Sequence, residues 1–364
     1  MIPIFKPYMP NQLDELSNIL NSGALAYGHW GKSFEAKLGE FIGVDEVITT
    51  NSYNSAMLVL ISTLGLQCGD EILASPMSCL ASNQPFLTKG LKVKWVDIDP
   101  LTGTIDPQSL SENINKKSKA IFHNHYCGIP GHIDEINQIA KENGVFVVDD
   151  CIEAFGSEYK GRVIGNTGAD ATIFSFQTVR LPNTIDGGAL VFKDPIHLEK
   201  AKQIRDYGID RTNFRDKNKE ISITCDIKLE GYGALMSELN SYIGYKQMEN
   251  LEELLTIQRR NAELWRNYLQ QYHSSINLLG YRENIYPNFW VFGILTQQKL
   301  TMLEYFRNLG YYASGIHVNN NIYSAFGAQT NLKGVNSFYK QHLALPSGWW
   351  IDENQLKNVI CENN

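Results

Sequence analysis

The chain has 364 residues, 43% hydrophobic and 20% charged, enough for one large domain with a smaller companion or for two mid-sized ones, and a composition that excludes a disordered, collagen-like or disulfide-framed protein. Its 32 Lys and Arg against 39 Asp and Glu leave a net charge of −7, and no basic run is dense enough to follow a phosphate backbone, so nucleic acid is not an expected partner. No stretch reaches the ~18 uninterrupted apolar residues of a membrane span. The opening Met1 to Pro7 lacks the charged, apolar and small-residue order of a secretory leader, and the expectation is a cytoplasmic protein with no membrane partner. Six cysteines (Cys68, Cys79, Cys127, Cys151, Cys225 and Cys361) share no paired spacing; they read as reduced thiols, and no metal is expected.

From about residue 45 to 193 one pattern repeats: a short β-branched run, a polar or Gly-containing turn, then an amphipathic helical stretch. The runs predict strands at Val47–Asn51, Glu71–Ser75, Val93–Asp99, Ala120–His125, Val145–Asp150, Ala171–Phe176 and Gly188–Lys193. That makes an α/β fold with a seven-stranded, mostly parallel sheet. Several runs carry polar residues only at their carboxyl ends, as strands covered on both faces do. Asn51-Ser52, His123-Asn124-His125, Asp149-Asp150 and Ser175 therefore fall where ligands of such sheets collect. Between them, Ile133 to Asn143 is helical and stops at Gly144.

After Lys193 the pattern gives way to charged helical stretches and a polar segment, Arg211 to Glu220, that reads as an exposed loop. Helical spacing returns from Ser237 to Tyr268, and a smaller α/β unit follows. The expected division is a large domain at 1–240 and a small one at 241–364.

Asp150 is the most informative residue. It ends a strongly apolar strand, where an unpartnered carboxylate is costly, so it calls for a cation such as the protonated nitrogen of a pyridine ring. The plain alternative is that Asp149 or Asp150 caps the next segment. The run from Phe174 to Gly188 carries a strand into a loop with a hydroxyl (Ser175), a cation (Arg180) and a Gly pair, suited to phosphate contact and close backbone approach. Singly, Ser175 reads as a turn residue and Arg180 as a surface cation. His125 and His317 are acid-base candidates because histidine titrates near neutrality; for His125 the other reading is a satisfied supporting histidine.

The motifs together resemble a family. Lys6-Pro7, Gly28 through Phe34-Glu35, Gly69-Asp70-Glu71, Pro76 with Ala81-Ser82-Asn83, Val96 through Pro100, His125 to Gly128 with Pro130, Asp149-Asp150-Cys151, the Ser175 to Gly188 loop, and Gly231-Tyr232 before Met236 to Asn240 succeed one another at matching spacings over nearly the whole chain. The pattern resembles the DegT/StrS sugar aminotransferases, pyridoxal-phosphate enzymes of fold type I. The resemblance implies a homodimer with sites at the subunit interface, acting on nucleotide-linked keto-sugars for surface polysaccharide or deoxyamino-sugar synthesis. It implies that Asp150 pairs with the pyridine nitrogen, that Ser175 binds the cofactor phosphate, and that Glu153 stands where members present Gln or His near the ring hydroxyl.

The match fails at the centre. The lysine that would tether pyridoxal phosphate corresponds to Arg180, and 161–189 contains no Lys. A Schiff base needs an amine that sheds its proton, which a guanidinium does not do. The Gly-Thr pair that grips the cofactor phosphate at a helix start corresponds to Tyr53-Asn54, flanked by Ser52 and Ser55, and the partner subunit's phosphate-binding Asn to Gly233. Three readings follow: an aminotransferase carrying a Lys-to-Arg replacement, a pyridoxamine-phosphate sugar dehydratase, or a sugar-nucleotide-binding partner subunit that has lost the cofactor.

Overall fold

A computed structural model describes residues 1–280, 282–327, 331–354 and 356; Cys361 lies outside them. The other five cysteines are free.

All seven predicted runs pair into one sheet: β1 (Ile48–Thr50), β2 (Glu71–Ala74), β3 (Lys92–Trp95), β4 (Ser118–Asn124), β5 (Phe146–Asp150), β8 (Ala171–Ser175) and β9 (Gly188–Phe192), with β6 (Glu158–Tyr159) and β7 (Arg162–Val163) forming a hairpin outside it. Their order is β1-β9-β8-β5-β4-β2-β3. Only β9 runs against its neighbours, antiparallel to both β1 and β8; the pairs β2-β3, β2-β4, β4-β5 and β5-β8 are parallel. Parallel register brings the strand ends level, with Asn124 beside Asp150 and Asp150 beside Ile173. The polar strand ends expected from sequence therefore share one edge.

The first two helices are α1 (Leu16–Asn21) and α2 (His29–Ile42), and α3 (Tyr53–Thr63) leaves β1 directly. Ser52 caps α3, its backbone extended and its hydroxyl accepting from the Ser55 N–H. Apolar on nearly every side, α3 is buried around Ala56, Met57, Leu60 and Ile61. Further on, α4 (Leu80–Thr88), α5 (Pro107–Asn113), α6 (Ile133–Asn143) and α7 (Pro195–Ile204) cover the sheet. The end of α6 at a left-handed Gly144 matches the sequence expectation.

Beyond the exposed 211–220 loop, the stretch read as one helix from Ser237 is two: α8 (Glu238–Met248) and α9 (Leu251–Tyr272), broken at Glu249-Asn250. The break lets Leu251 and Leu255 drop into the core that holds Phe34, Phe155 and Phe176. A second core, built on Trp265, Tyr268, Phe292, Phe306 and Leu343, begins at Ala262, halfway along α9. It is closed by a three-stranded sheet of β10 (Asn277–Leu278), β12 (Phe292–Leu295) and β13 (His342–Leu345), with α10 (Lys299–Asn308), while α11 (Lys333–Gln341) turns Val335 and Phe338 into the core of the large sheet. The two units are sewn together by β11 (Ile285–Tyr286), which pairs with β6, and by the N-terminus, where Ile2 bridges Tyr311.

The start of α2 has no side-chain cap of its own. Glu238, in the first turn of α8, supplies it from a distance, its carboxylate accepting the N–H groups of Gly28 at 2.8 Å and of Trp30 and Gly31 at 3.0 Å. Charge-assisted bonds of this kind are the stronger class. Glu238→Ala should therefore cost about 3 kcal/mol in denaturant unfolding and Glu238→Gln clearly less; a loss below about 0.5 kcal/mol would show that this cap does not hold α2.

Candidate functional site

Side chains alternate along β5, so its last two acids point to opposite faces of the sheet. Asp150 faces α3 and α4. Its Oδ1 accepts from the Tyr53 hydroxyl at 3.0 Å and from the Ile152 N–H at 3.2 Å, and its Oδ2 from the Ser82 hydroxyl at 2.6 Å. The carboxyl is fully buried, and burial pushes it up to about 6 against those three donors. None of those partners is a cation. Burial and the neighbouring Asp150 charge hold the Tyr53 phenol well above its ordinary range, so it is a neutral donor.

Asp149 faces the other way. His123 Nδ1 stands 3.2 Å and His125 Nε2 3.4 Å from its Oδ1, and Thr167 donates to Oδ2 at 3.3 Å. Burial pushes His123 down to about 4. The Gly131 N–H donates to His125 Nδ1 at 3.0 Å, which leaves the proton of a neutral ring on Nε2. The three groups are spaced as metal ligands, yet that proton occupies the lone pair a metal would need; His123 Nδ1 and Thr167 bond Asp149, and His125 Nε2 stands close to it without a hydrogen-bond partner. His125 thus lies across the sheet from Asp150, not beside it as a partner in acid-base chemistry; strand alternation is the reason.

On the Asp150 face stand Glu153, Arg180 and His317. Glu153 Oε1 bonds His317 Nε2 at 2.7 Å, and Oε2 accepts from the Cys127 N–H at 2.8 Å. Burial would raise this carboxyl, but His317 and Arg180 hold it below its ordinary range. Arg180 is 7% exposed, its guanidinium 4.4 Å from the Trp290 ring centre, and its Nε and Nη1 have no hydrogen-bond partner. Ser175 is buried and lines a cavity together with Glu153, Arg180 and Trp290. Ser52 is spent on its cap, and Asn54 is exposed on the first turn of α3. The structure thus gathers Tyr53, Asp150, Glu153, Ser175, Arg180 and His317. It adds two residues without a sequence assignment to this face: Ser82, quoted only within a motif, and Trp290, which no local pattern ties to a residue 110 positions away.

Pyridoxal phosphate asks for an amine to bond, a carboxylate for its ring nitrogen, and room. The residues present do not fit it. Arg180 offers no amine, and the Asp150 carboxylate is already engaged by two hydroxyls. Grooves of about 490 and 630 Å³ open at the amino ends of β5 and β8, away from this edge.

A mostly parallel sheet with a buried acid at the end of a central strand, joined to a smaller antiparallel unit, is the architecture of a fold type I α/β enzyme. The comparisons give the family. The sequence profile of the DegT/DnrJ/EryC1/StrS aminotransferase family matches residues 9–362, and the chain belongs to that family. A UDP-4-amino-4,6-dideoxy-N-acetyl-beta-L-altrosamine transaminase of Campylobacter jejuni is 28% identical over 350 residues, 92% of this chain and 89% of that protein. The sugar aminotransferase CalS13 from Micromonospora echinospora superposes with a TM-score of 0.92 at 25% identity, over 99% of this chain and 98% of that one. The fold is also that of Spr1654 from Streptococcus pneumoniae, a protein called a sugar aminotransferase and solved in both PMP and PLP forms, with TM-scores of 0.89 and 0.88 at 21% and 20% identity, over 99% of this chain and 97% of that one in each case.

The fold binds a proton on Asp150 more tightly than the unfolded chain does, so this group favours folding in acid and opposes it once ionised. A carboxyl raised from about 4 to about 6 costs the folded state about 3 kcal/mol at pH 8. Asp150→Asn removes that cost. Relative to the unsubstituted protein, the variant should gain about 1–1.5 kcal/mol in unfolding free energy between pH 5 and pH 8; the lowered histidines His123 and His342 act alike in both proteins and cancel. An equal effect at both pH values would mean that a cation compensates Asp150.

Proposed function

We propose that this protein takes a nucleotide-linked keto-sugar as its ligand, in the synthesis of a surface polysaccharide or a deoxyamino sugar. The observation that carries the reading is the extent of the family match: it runs over residues 9–362, through both units, and not over the coenzyme-facing strands alone. The transaminase relative, named for a UDP-linked amino sugar, covers 92% of the chain, and this supports a nucleotide sugar in particular.

The protein's own groups on this face are a permanent cation, Arg180, and the Glu153–His317 pair, whose histidine side chain is 17% exposed while the glutamate lies beneath it. A buried carboxylate kept ionised beneath a partly exposed histidine fixes the orientation of that ring. The guanidinium suits a carboxylate or phosphate oxygen. These groups bind and orient a sugar nucleotide; without an amine at Arg180 they do not carry an amino group between substrates. This favours the reading of a sugar-nucleotide-binding member over that of an active transaminase.

The protein is proposed to work as a homodimer in the cytoplasm, without nucleic acid or membrane. The segment after α7 supports association, because its apolar side chains Tyr207, Ile221, Ile223 and Ile227 are 63%, 61%, 100% and 43% exposed. Among the described residues no helix is long and apolar enough to cross a membrane.

Thermal unfolding with UDP-, GDP- and dTDP-linked sugars tests the reading. A ligand at a hundred times its Kd adds about 2.7 kcal/mol to stability, so one nucleotide should raise Tm in a saturable way while the other two do not. No shift with any of the three defeats it.

A further inference from the structure

Tyr53 stands in the first turn of a helix that begins at the edge where this sheet collects ligands, yet it is 1% exposed and among the largest fully buried side chains. A tyrosine in the first turn of a helix can turn its hydroxyl to water. Here the ring runs inward and its hydroxyl meets Asp150 Oδ1 at 3.0 Å, with Ser82 Oγ 3.3 Å away. A flat six-membered ring whose polar edge donates one hydrogen bond to this carboxylate describes a pyridinium as well as it describes a phenol. The difference is charge: a pyridinium neutralises the acid, whereas a phenol leaves it uncompensated, as the upward push on Asp150 records.

We propose that Tyr53 is a built-in occupant of the coenzyme ring's place, so that this protein keeps the closed, braced site of its family while binding neither pyridoxal nor pyridoxamine phosphate. The proposal rests on the family reading, which supplies the coenzyme being excluded. Two bars act independently. Arg180 withholds the amine that would bond the coenzyme, and its guanidinium stands over the Trp290 ring, 4.4 Å from its centre. Tyr53 fills the ring's space and takes the Asp150 bond. Reverting Arg180 alone therefore leaves no room, and reverting Tyr53 alone leaves room without a bond. Glycine, which the family resemblance places at position 53, removes every side-chain atom from that space.

The test compares purified protein with Arg180→Lys, Tyr53→Phe, Tyr53→Gly and the double variant Tyr53→Gly/Arg180→Lys, each incubated with pyridoxal phosphate or pyridoxamine phosphate, desalted, and read by coenzyme absorbance. The unsubstituted protein, Arg180→Lys and Tyr53→Phe should retain none. Tyr53→Gly should bind pyridoxamine phosphate on the order of a hundredfold tighter than the unsubstituted protein, and the double variant should retain pyridoxal phosphate that borohydride fixes to the chain. Stoichiometric retention by the unsubstituted protein or by Arg180→Lys overturns the proposal, and so does a folded Tyr53→Gly that gains no affinity. Tyr53→Phe keeps the ring volume, so coenzyme retention by that variant also overturns the proposal and keeps it falsifiable if the glycine variant does not fold. Nucleotide-sugar binding is read separately on the unsubstituted protein, so its absence would defeat the proposed ligand and leave the coenzyme result standing.

Discussion

A carboxylate at the end of a buried strand must find hydrogen-bond donors, and the donor that Asp150 finds decides the character of this site. Burial of the acid is forced by the apolar run that precedes it and by helices on both faces of the sheet. Left alone, the charge is intolerable. With a cation it is an electrostatic anchor; with Tyr53 and Ser82 it is a raised, satisfied carboxyl in a closed wall.

The rest of the site is consistent with that closure. Glu153 is saturated by His317 and the Cys127 N–H, Arg180 stands over Trp290, and the loop that carries Arg180 is pinned by the Asn183 side chain on the Tyr8 carbonyl and by the Trp290 indole on the Val179 carbonyl. The loop is thus held from both units of the chain. Arg180 retains two unpaired N–H groups in a buried position. An unpaired buried donor is costly, so the polarity left in this wall is better explained by ligand recognition than by stability.

Much of this was legible before any coordinates. Strand periodicity located the whole sheet, because buried parallel strands need continuous apolar runs bounded by turns, and the signal is strong where both faces are covered. Helix ends were legible where the stop is local, as at Gly144, and illegible where it is not: the break at Glu249-Asn250 exists because Leu251 and Leu255 are drawn into a core built by residues far away in sequence. The missing lysine was visible as a letter. His125 could be read from sequence as an acid-base group or as a supporting histidine, and the pleat of the sheet put it on the face opposite Asp150, beside Asp149.

The sequence by itself determined the order of strands and helices, the acid at the end of β5, the family, and the absence of an amine in the loop, since each is a matter of residue type at local spacing. Only the tertiary structure decided what the acid holds, because Tyr53 and Asp150 are 97 residues apart and meet only when α3 packs across the carboxyl ends of the strands. A side chain's partner is a property of the packed interior, and nothing in the spacing of letters states which of several polar groups will reach a buried charge first.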